Sequence, residues 1–163
     1  MEAGNIKVTT QLAPELPQTL ADEDQLRQVF LNLIINAETE MKSAHGGGHL
    51  LIKTGRIDNT IQVSFADDGP GITEENLWCV FVPFFTTREV GKGTGLGLSI
   101  CYGIITKHGG RIYAKSEQGK GATFIVKLPI VAKNRNEERR TQNLTPLQKR
   151  DNIWWLVATV CSK

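Results

Sequence analysis

The sequence predicts an α/β (α+β) sandwich, in which a mixed, mostly antiparallel sheet of about five strands is covered on one face by about three helices. Three observations lead to this fold class. A β-branched segment opens the chain, two pairs of short alternating segments are each joined by turn residues, and two longer segments carry apolar residues at helical spacing. Hairpins mixed with helices are typical of layered folds in which helices pack on one side of a sheet.

The first predicted elements are a strand and a long helix. Ile6–Leu12 alternates and is rich in β-branched residues, which favours a strand. A loop with two prolines follows, and Asp22 is the predicted N-cap of a helix that ends before Gly46. The apolar residues that recur at helical spacing in this segment are Leu26, Val29, Phe30, Leu33, Ile34, Ala37 and Met41.

The rest of the domain is predicted as two hairpins with helices between them. Turn residues at Asp58-Asn59 and at Glu117–Gly121 interrupt the alternating segments. A loop rich in glycine and threonine separates a short helix from a second long one. The predicted elements are strands His49–Arg56 and Thr60–Ala66, helices Thr73–Val80 and Leu96–Lys107, and strands Arg111–Ser116 and Ala122–Leu128.

The composition is that of one ordinary globular domain. The chain has 163 residues, of which 40% are hydrophobic and 22% charged, and this length is enough to bury a core without staples. The net charge of +2 arises from residues 134–163, so the sequence gives no electrostatic indication of a nucleic-acid partner.

Cysteine usage and hydropathy indicate a cytoplasmic location. Cys79, Cys101 and Cys161 are odd in number and far apart, which predicts neither a metal site nor a disulfide framework and agrees with a reducing compartment. The sequence has no signal peptide and no apolar run of about 18 residues, so we expect no membrane contact by this chain.

Two asparagines interrupt the apolar face of the first long helix. Asn32 and Asn36 are four residues apart and therefore share one helical face. Two hydrogen-bonded buried amides would explain them, and so would an amide oxygen that coordinates a hard cation such as Mg²⁺. The pattern alone leaves both interpretations open.

A short Asp- and Gly-rich loop follows the fourth predicted element. In Asp67–Gly71, the carboxylate of Asp67 directly follows a strand and can accept a hydrogen bond from an exocyclic amine. The glycines would let the backbone approach a flat ring closely. Such a loop is also a common turn, so the pattern by itself is weak.

A glycine-rich stretch, Gly91–Ser99, runs directly into the second long helix. Glycine-rich backbone that ends at a helix N-terminus is suited to bind an anion. The stretch is not a Walker A loop, because Lys92 is followed by Gly93 and not by Ser or Thr. The alternative is a flexible surface loop, although glycines at a helix start are costly to helix stability.

In this order, the motifs resemble the catalytic ATP-binding (HATPase_c) domain of bacterial sensor histidine kinases. That domain belongs to the GHKL superfamily, which includes DNA gyrase B and ATP-dependent heat-shock chaperones and has the Bergerat-type fold. The resemblance covers about residues 5–130, and the PFFTT segment is most similar to the nitrogen-regulatory branch. It is carried by the N box Gln28–Ala37, the G1 box Asp67–Ile72, the F box Phe81–Thr87, the G2 box Gly93–Leu98 and a last glycine motif, Gly119–Phe124.

The resemblance implies roles in binding ATP and Mg²⁺. Asn36 would ligate Mg²⁺. Asn32 would lie where hydrolysing relatives carry a glutamate that activates water, and an asparagine cannot act as a general base. Asp67 would accept a hydrogen bond from the adenine amino group, and Thr123 would support the adenine pocket.

The resemblance also implies an ATP lid. The lid would span about Val80 to Thr94, with Phe84 and Phe85 packing it down. The implied phosphate-binding residues are Gly93, Gly95, Gly97 and Arg88, with Lys42 and Lys92 as further candidates. The other nucleotide-binding residues that the boxes imply are Gly69, Gly71, Ile72, Thr94, Leu96 and Leu98.

The implied function is transfer of the γ-phosphoryl group of ATP to a histidine, as in two-component signal transduction. The acceptor would belong to a separate dimerisation domain, and a response regulator would be an indirect partner. The resemblance also allows the chain to be the cytoplasmic part of a membrane-anchored sensor. None of His45, His49 and His108 lies in a suitable acceptor helix, so we expect this chain to bind Mg·ATP without phosphorylating itself. The alternatives are a GHKL ATPase, a serine-kinase-type domain, or a nucleotide-binding adaptor module without catalysis.

Two features depart from the family pattern. Glu40 stands where relatives often have alanine, and we expect its side chain to face solvent. Residues 1–132 are predicted to form the ATP-binding domain, while 133–163 are predicted to be a linker followed by an apolar tail, Ile153–Cys161, of unknown role. The tail is too short to span a bilayer, and docking on the domain or a non-native extension are the favoured explanations.

Overall fold

The computed structural model describes residues 5–130 and 145–146. The predicted helices and strands are all present, with ends that differ from the predicted ones by a few residues. In chain order they are β1 (Asn5–Gln11), β2 (Leu20–Ala21), α1 (Glu23–His45), β3 (Gly47–Ile57), β4 (Thr60–Asp67), α2 (Glu74–Leu77), α3 (Gly97–Lys107), β5 (Arg111–Ser116), β6 (Ala122–Pro129) and β7 (Thr145–Pro146).

Five strands form the main sheet in the order β1-β3-β4-β6-β5. Strand β1 runs parallel to β3, and the three other pairs are antiparallel, including the predicted hairpins β3–β4 and β5–β6. The predicted fold class is therefore confirmed. The short strands β2 and β7 pair separately and were not predicted. Apart from β7, the predicted linker and tail of residues 133–163 lie outside the described residues.

Helix α1 has clear signals at both ends. The Asp22 side chain accepts a hydrogen bond from the Gln25 N–H at 3.0 Å, and Gly46 closes the helix in the left-handed conformation with φ of 72°. The predicted apolar face is buried against the sheet, except that Ile34 is only partly buried. Its buried residues are Leu26, Val29, Phe30, Leu33, Ala37 and Met41.

The core lies between the helices and one face of the sheet. Period-two alternation directs every second strand residue towards the helices. The buried residues on this face include Leu50, Ile52, Ile61, Val63, Phe65, Phe124, Val126 and Leu128. The rings of Phe30 and Phe65, with centroids 5.6 Å apart, join α1 to β4. A sheet with one covered face is typical of antiparallel α+β domains.

Helix α3 packs beside α1 on the same face. Its residues Cys101 and Ile105 are fully buried. At its end, the buried His108 ring accepts a hydrogen bond from the Asp22 N–H through Nε2 at 3.0 Å, so the C-terminus of α3 is tied to the start of α1. Among the described helices, none has the length and apolar character needed to cross a bilayer.

Candidate functional site

A cavity of about 410 Å³ opens where the second half of α1, the N-terminus of α3 and the end of β4 meet. These elements contribute the N box on α1, the G2 box at the start of α3 and the Asp-Gly loop of the G1 box after β4. The predicted residues that line the cavity are Asn32, Asn36, Asp67, Gly71, Ile72, Phe85, Arg88, Gly93, Thr94, Gly95, Gly97 and Leu98. Residues that are separated by up to 66 positions in the chain therefore share one pocket.

Asp67 is held in place by two backbone groups. Its Oδ1 accepts hydrogen bonds from the Gly69 N–H at 2.9 Å and the Ala122 N–H at 3.2 Å. Burial raises the pKa of the Asp67 carboxyl, the two N–H groups oppose this, and the nearby charges of Asp68 and Glu40 raise the pKa further. No donor from the described residues reaches Oδ2, so this oxygen can accept a further hydrogen bond.

The loop after Asp67 is fastened to the hairpin turn between β5 and β6. The Gly119 N–H donates to the Pro70 carbonyl oxygen at 2.7 Å. The Ile72 N–H donates to the Ser116 hydroxyl at 2.7 Å. These bonds set the loop along one wall of the cavity, although the bonded residues are 44 and 49 positions apart in the sequence.

Glycines are required where these two segments meet. A Cβ on Gly71, whose φ is +74°, would lie 2.3 Å from the Glu117 carbonyl oxygen. A Cβ on Gly121 would lie 2.0 Å from the Asp67 carbonyl oxygen. Close backbone packing therefore accounts for these two glycines; for Gly71 this is in addition to the expected approach of a flat ring.

The two asparagines of α1 have different neighbours. Asn32 donates through Nδ2 to the Gly97 carbonyl oxygen at 3.4 Å and thereby joins α1 to the start of α3. The Oδ1 of Asn36 accepts a hydrogen bond from Nη2 of Arg88 at 3.2 Å. Asn36 thus presents its oxygen to a cationic group at the wall of the cavity.

The expectation that Glu40 faces solvent was wrong. Its Oε1 accepts hydrogen bonds from Nε and Nη2 of Arg88 at 2.9 and 2.8 Å, and the residue lines the cavity. Glu40 follows Asn36 by four residues, so both lie on the same helical face. That spacing was the signal in the sequence that would have placed Glu40 beside Asn36.

The N-terminus of α3 forms the opposite wall. The helix begins at Gly97 after Leu96, an N-cap residue whose side chain offers no hydrogen bond to the first N–H groups. A Cβ on Gly97 would meet no atom within 4 Å, so the backbone there is open. A helix start of this kind favours an anionic ligand.

Five predicted residues do not line the cavity. Gly69 supports Asp67, and Leu96 is the N-cap of α3. The side chain of Lys92 is 71% exposed and pairs with Glu89. The remaining two are Phe84 and Thr123. Among the further candidates, Lys42 pairs with Glu38 along α1.

The Phe84 and Thr123 side chains point away from the site. Phe84 has a positive φ of 65° and is 74% exposed, while its neighbour Phe85 lines the cavity. In this conformation Phe84 does not pack the loop down. On β6 the cavity is lined by Ala122 and Phe124, so strand alternation directs Thr123 to the other face of the sheet.

Comparison with known proteins identifies the family. Residues 21–132 match the family described as histidine kinase-, DNA gyrase B-, and HSP90-like ATPase. Sporulation kinase E of Bacillus subtilis is 37% identical over 137 residues, which cover 83% of this chain and 18% of that protein. Sensor histidine kinase ZraS of Klebsiella oxytoca is 39% identical over 137 residues, covering 82% of this chain and 28% of that protein. The chain therefore spans less than a third of either relative.

Solved structures agree with this assignment. The nucleotide-free catalytic domain of histidine kinase ThkA superposes with a TM-score of 0.67 at 35% identity, covering 77% of this chain and 80% of that one. Full-length ShkA in complex with AMPPNP superposes with a TM-score of 0.66 at 32% identity, covering 78% of this chain and 26% of that one. ThkA in complex with the response regulator TrrA superposes with a TM-score of 0.62 at 31% identity, covering 77% of this chain and 34% of that one. The chain belongs to the family of histidine kinase-, DNA gyrase B-, and HSP90-like ATPases, as the HATPase_c domain of the sensor histidine kinase type.

Proposed function

We propose that residues 1–132 bind Mg·ATP and present its γ-phosphoryl group to a histidine on a separate domain. The observation that carries this proposal is the convergence of three groups on one cavity: the Asp67 carboxylate, the Asn36 amide oxygen and the open start of α3. A carboxylate, an oxygen ligand for a cation and an anion-binding helix end suit the three parts of a metal-bound adenine nucleotide. The solved relative ShkA binds AMPPNP, an analogue of that ligand.

The adenine would be recognised at Asp67. Because the Oδ1 atom is occupied by the Gly69 and Ala122 N–H groups, Oδ2 is the acceptor for the exocyclic amine. Phe124 and Ile72 supply apolar surface to the same cavity. A fixed carboxylate acceptor discriminates an aminopurine from an oxopurine, since the latter presents an acceptor at that position.

The residues present fit a divalent cation. Asn36 Oδ1 and Glu40 Oε1 both accept hydrogen bonds from the Arg88 guanidinium, so this place already holds a positive charge between two oxygen atoms. Asn36 is the proposed ligand for Mg²⁺, with phosphate and water oxygens completing its shell. When bound, Mg²⁺ neutralises phosphate charge. Thr94, Gly95, Gly97 and Leu98 would hold the phosphates at the start of α3, with Arg88 as a cation from the lid.

The acceptor histidine is proposed to lie on a separate dimerisation domain. His108 is only 5% exposed, with Nδ1 2.7 Å from the Ile104 carbonyl oxygen and Nε2 bonded to the Asp22 N–H. His49 is bonded to Thr9 on β1, and His45 ends α1. None of the three faces the cavity. A response regulator would receive the phosphoryl group afterwards, in the cytoplasm; the solved relative ThkA forms a complex with one.

Hydrolysis is disfavoured by the residue at position 32. Asn32 donates to the Gly97 carbonyl oxygen and has no basic atom that could activate water. Catalysis would therefore consist of positioning and charge neutralisation.

Calorimetric titration with ATP and Mg²⁺, combined with a phosphate-release assay, tests the proposal. We expect binding that prefers ATP to GTP, almost no phosphate release, and no label on the chain from γ-labelled ATP. Steady release of phosphate would instead favour a GHKL ATPase. Nucleotide binding with no transfer to the dimerisation domain of any relative would favour an adaptor module, and no binding would refute the proposal.

A further inference from the structure

Arg88 links the loop before α3 to two residues of α1. Its guanidinium donates to Glu40 through Nε and Nη2 and to Asn36 through Nη2, with all three distances between 2.8 and 3.2 Å. The side chains of Arg88 and Glu40 are 28% and 32% exposed, so the pair is partly removed from solvent. It lies at the cavity wall and joins residues 48 positions apart.

The other ion pairs of α1 differ from this one. Arg27 pairs with Glu23 and Asp24, and Lys42 pairs with Glu38, in each case three or four residues apart on the helix surface. Such local pairs contribute little to stability and have no connection to the cavity. Only the Glu40 pair, among the ion pairs of the described residues, places a charge from the loop against a residue that lines the cavity on α1.

The charged side chains that line the cavity are two carboxylates and one guanidinium. Asp67 and Glu40 both line it, and Arg88 is the one cationic side chain among its lining residues. A metal-free ATP molecule would bring about four further negative charges. If Arg88 turned to the phosphates, Glu40 would be left facing them without a partner, which is unfavourable in a partly desolvated site. A divalent cation would relieve this repulsion.

We propose that Glu40 makes nucleotide binding dependent on the divalent cation. Without nucleotide, Glu40 holds Arg88 against Asn36 Oδ1. With Mg·ATP, Arg88 transfers to the phosphates, and the Glu40 carboxylate faces the cation beside Asn36, either as a ligand or through a bound water. The inference rests on the proposed function, in which Asn36 is the cation ligand and Arg88 a phosphate contact.

Neutralising Glu40 gives a signature that loss of packing would not produce. Glu40→Gln keeps the shape of the side chain and removes its charge. It would increase the affinity for metal-free ATP, because Arg88 is released and the repulsion between Glu40 and the phosphates is lost. It would decrease the affinity for Mg·ATP, because the cation loses an anionic neighbour. The two shifts have opposite signs, whereas a merely structural role of Glu40 would weaken both forms.

The experiment measures ATP affinity by calorimetry on the full chain, in excess Mg²⁺ and in excess EDTA. The quantity compared is the dissociation constant in EDTA divided by the dissociation constant in Mg²⁺, so a high ratio means strong metal dependence. We expect Glu40→Gln to lower this ratio at least about tenfold, the range typical for groups around a bound metal. Glu38→Gln, the same change two positions earlier on α1 at a residue that does not line the cavity, is the matched control and should keep the ratio of the unaltered chain. Glu40→Asp should keep most of the metal dependence.

Each result decides the question. A ratio in Glu40→Gln equal to that of the unaltered chain, or equal weakening of both forms in a folded variant, would overturn the inference while leaving the proposed function intact. If circular dichroism showed that Glu40→Gln does not fold, Glu40→Asp would be measured in its place. A metal dependence in Glu40→Asp that is reduced as strongly as in Asn36→Ala would then overturn the charge role of Glu40. Failure of the unaltered chain to bind ATP in either buffer would refute the proposed function, and the inference with it.

Discussion

The Phe84 N–H donates a hydrogen bond to the Gly95 carbonyl oxygen at 2.9 Å, and this bond joins the two ends of the loop that carries Arg88. Both residues have positive φ, of 65° and 67°. A Cβ on Gly95 would lie 2.5 Å from the Phe84 carbonyl carbon, so the contact requires glycine for space as well as for conformation. The two ends of the proposed lid are therefore held together by a backbone hydrogen bond and a close contact between Phe84 and Gly95.

Gly95→Ala should break this closure. We expect ATP affinity to fall, because the loop that positions Arg88 and Thr94 loses its fixed ends, and the free energy of unfolding to fall by about 1–3 kcal/mol, as for overpacking. Gly91→Ala is the matched control, since Gly91 also has a positive φ, of 87°, but a Cβ there would meet nothing within 4 Å. Urea unfolding and calorimetry of both variants check this. Equal effects of the two substitutions on both quantities would contradict it.

Sequence patterns predicted the frame of the site because its signals are local. Asp22 as a cap, Gly46 as a terminator and the apolar spacing of α1 all act within a few residues. The Asp67 loop and the glycine-rich entry to α3 are likewise short segments. Their convergence followed from the family resemblance, since neither periodicity nor composition states which loops meet.

The parts that could not be predicted depend on pairing across the fold. The bond between Arg88 and Glu40 joins residues 48 positions apart, and nothing local to either residue indicates the partner. Thr123 was assigned to the cavity from its motif, but register decides its side: a shift of one position along β6 exchanges the faces of Ala122 and Thr123. Phe84 faces outward because of a backbone conformation that few non-glycine residues adopt.

Asp67→Asn should separate ligand affinity from stability. The amide keeps an Oδ1 that can accept from the Gly69 and Ala122 N–H groups, so the loop should remain in place. It replaces Oδ2 by a donor, which would oppose the adenine amine. We expect ATP affinity to fall about thirtyfold, equivalent to about 2 kcal/mol for a charged hydrogen bond.

The control for that variant is Asp68→Asn. It makes the same charge change on the adjacent residue, whose Oδ1 accepts from the His49 N–H at 2.8 Å. Calorimetry should show nearly unchanged affinity for Asp68→Asn. If both variants lost affinity equally, net charge near the cavity would be the cause, and the adenine contact of Asp67 would be refuted.

The raised pKa of Asp67 predicts two opposite pH dependences. Burial raises its folded pKa above the ordinary value of 3.8, so the protonated form is favoured in the folded state. This contribution to stability is fully present below 3.8 and is lost as pH rises through the raised value. In the proposed adenine contact the ionised carboxylate is the acceptor, so ATP affinity should fall as pH drops through that same interval.

Comparison with Asp67→Asn isolates this titration. The variant should be as stable as the unaltered chain or more stable at neutral pH, and its stability advantage should shrink as pH falls towards 3.8. Its ATP affinity should show a weaker dependence on pH over this range. Urea unfolding and calorimetry at matched pH values measure both. A variant with the pH profiles of the unaltered chain would show that another group titrates.

Cys101 should be protected from thiol reagents until the domain unfolds. It is fully buried between α3 and α1, its Sγ–H donates to the Val29 carbonyl oxygen at 3.7 Å, and burial raises its pKa to about 11. At pH 8 only about one molecule in a thousand would carry the reactive thiolate, even with access. Cys79, between α2 and the lid, is partly exposed and provides an internal reference.

Labelling with iodoacetamide, read residue by residue by peptide mass mapping, tests this. We expect Cys79 to react within the native state and Cys101 to react only at the rate at which α3 separates from α1. Urea should therefore accelerate labelling of Cys101 far more than that of Cys79, because opening exposes the thiol and removes the burial that raises its pKa. Equal labelling rates at the two cysteines in native buffer would show that α3 leaves the core readily, and the start of α3 would then be a poor platform for phosphates.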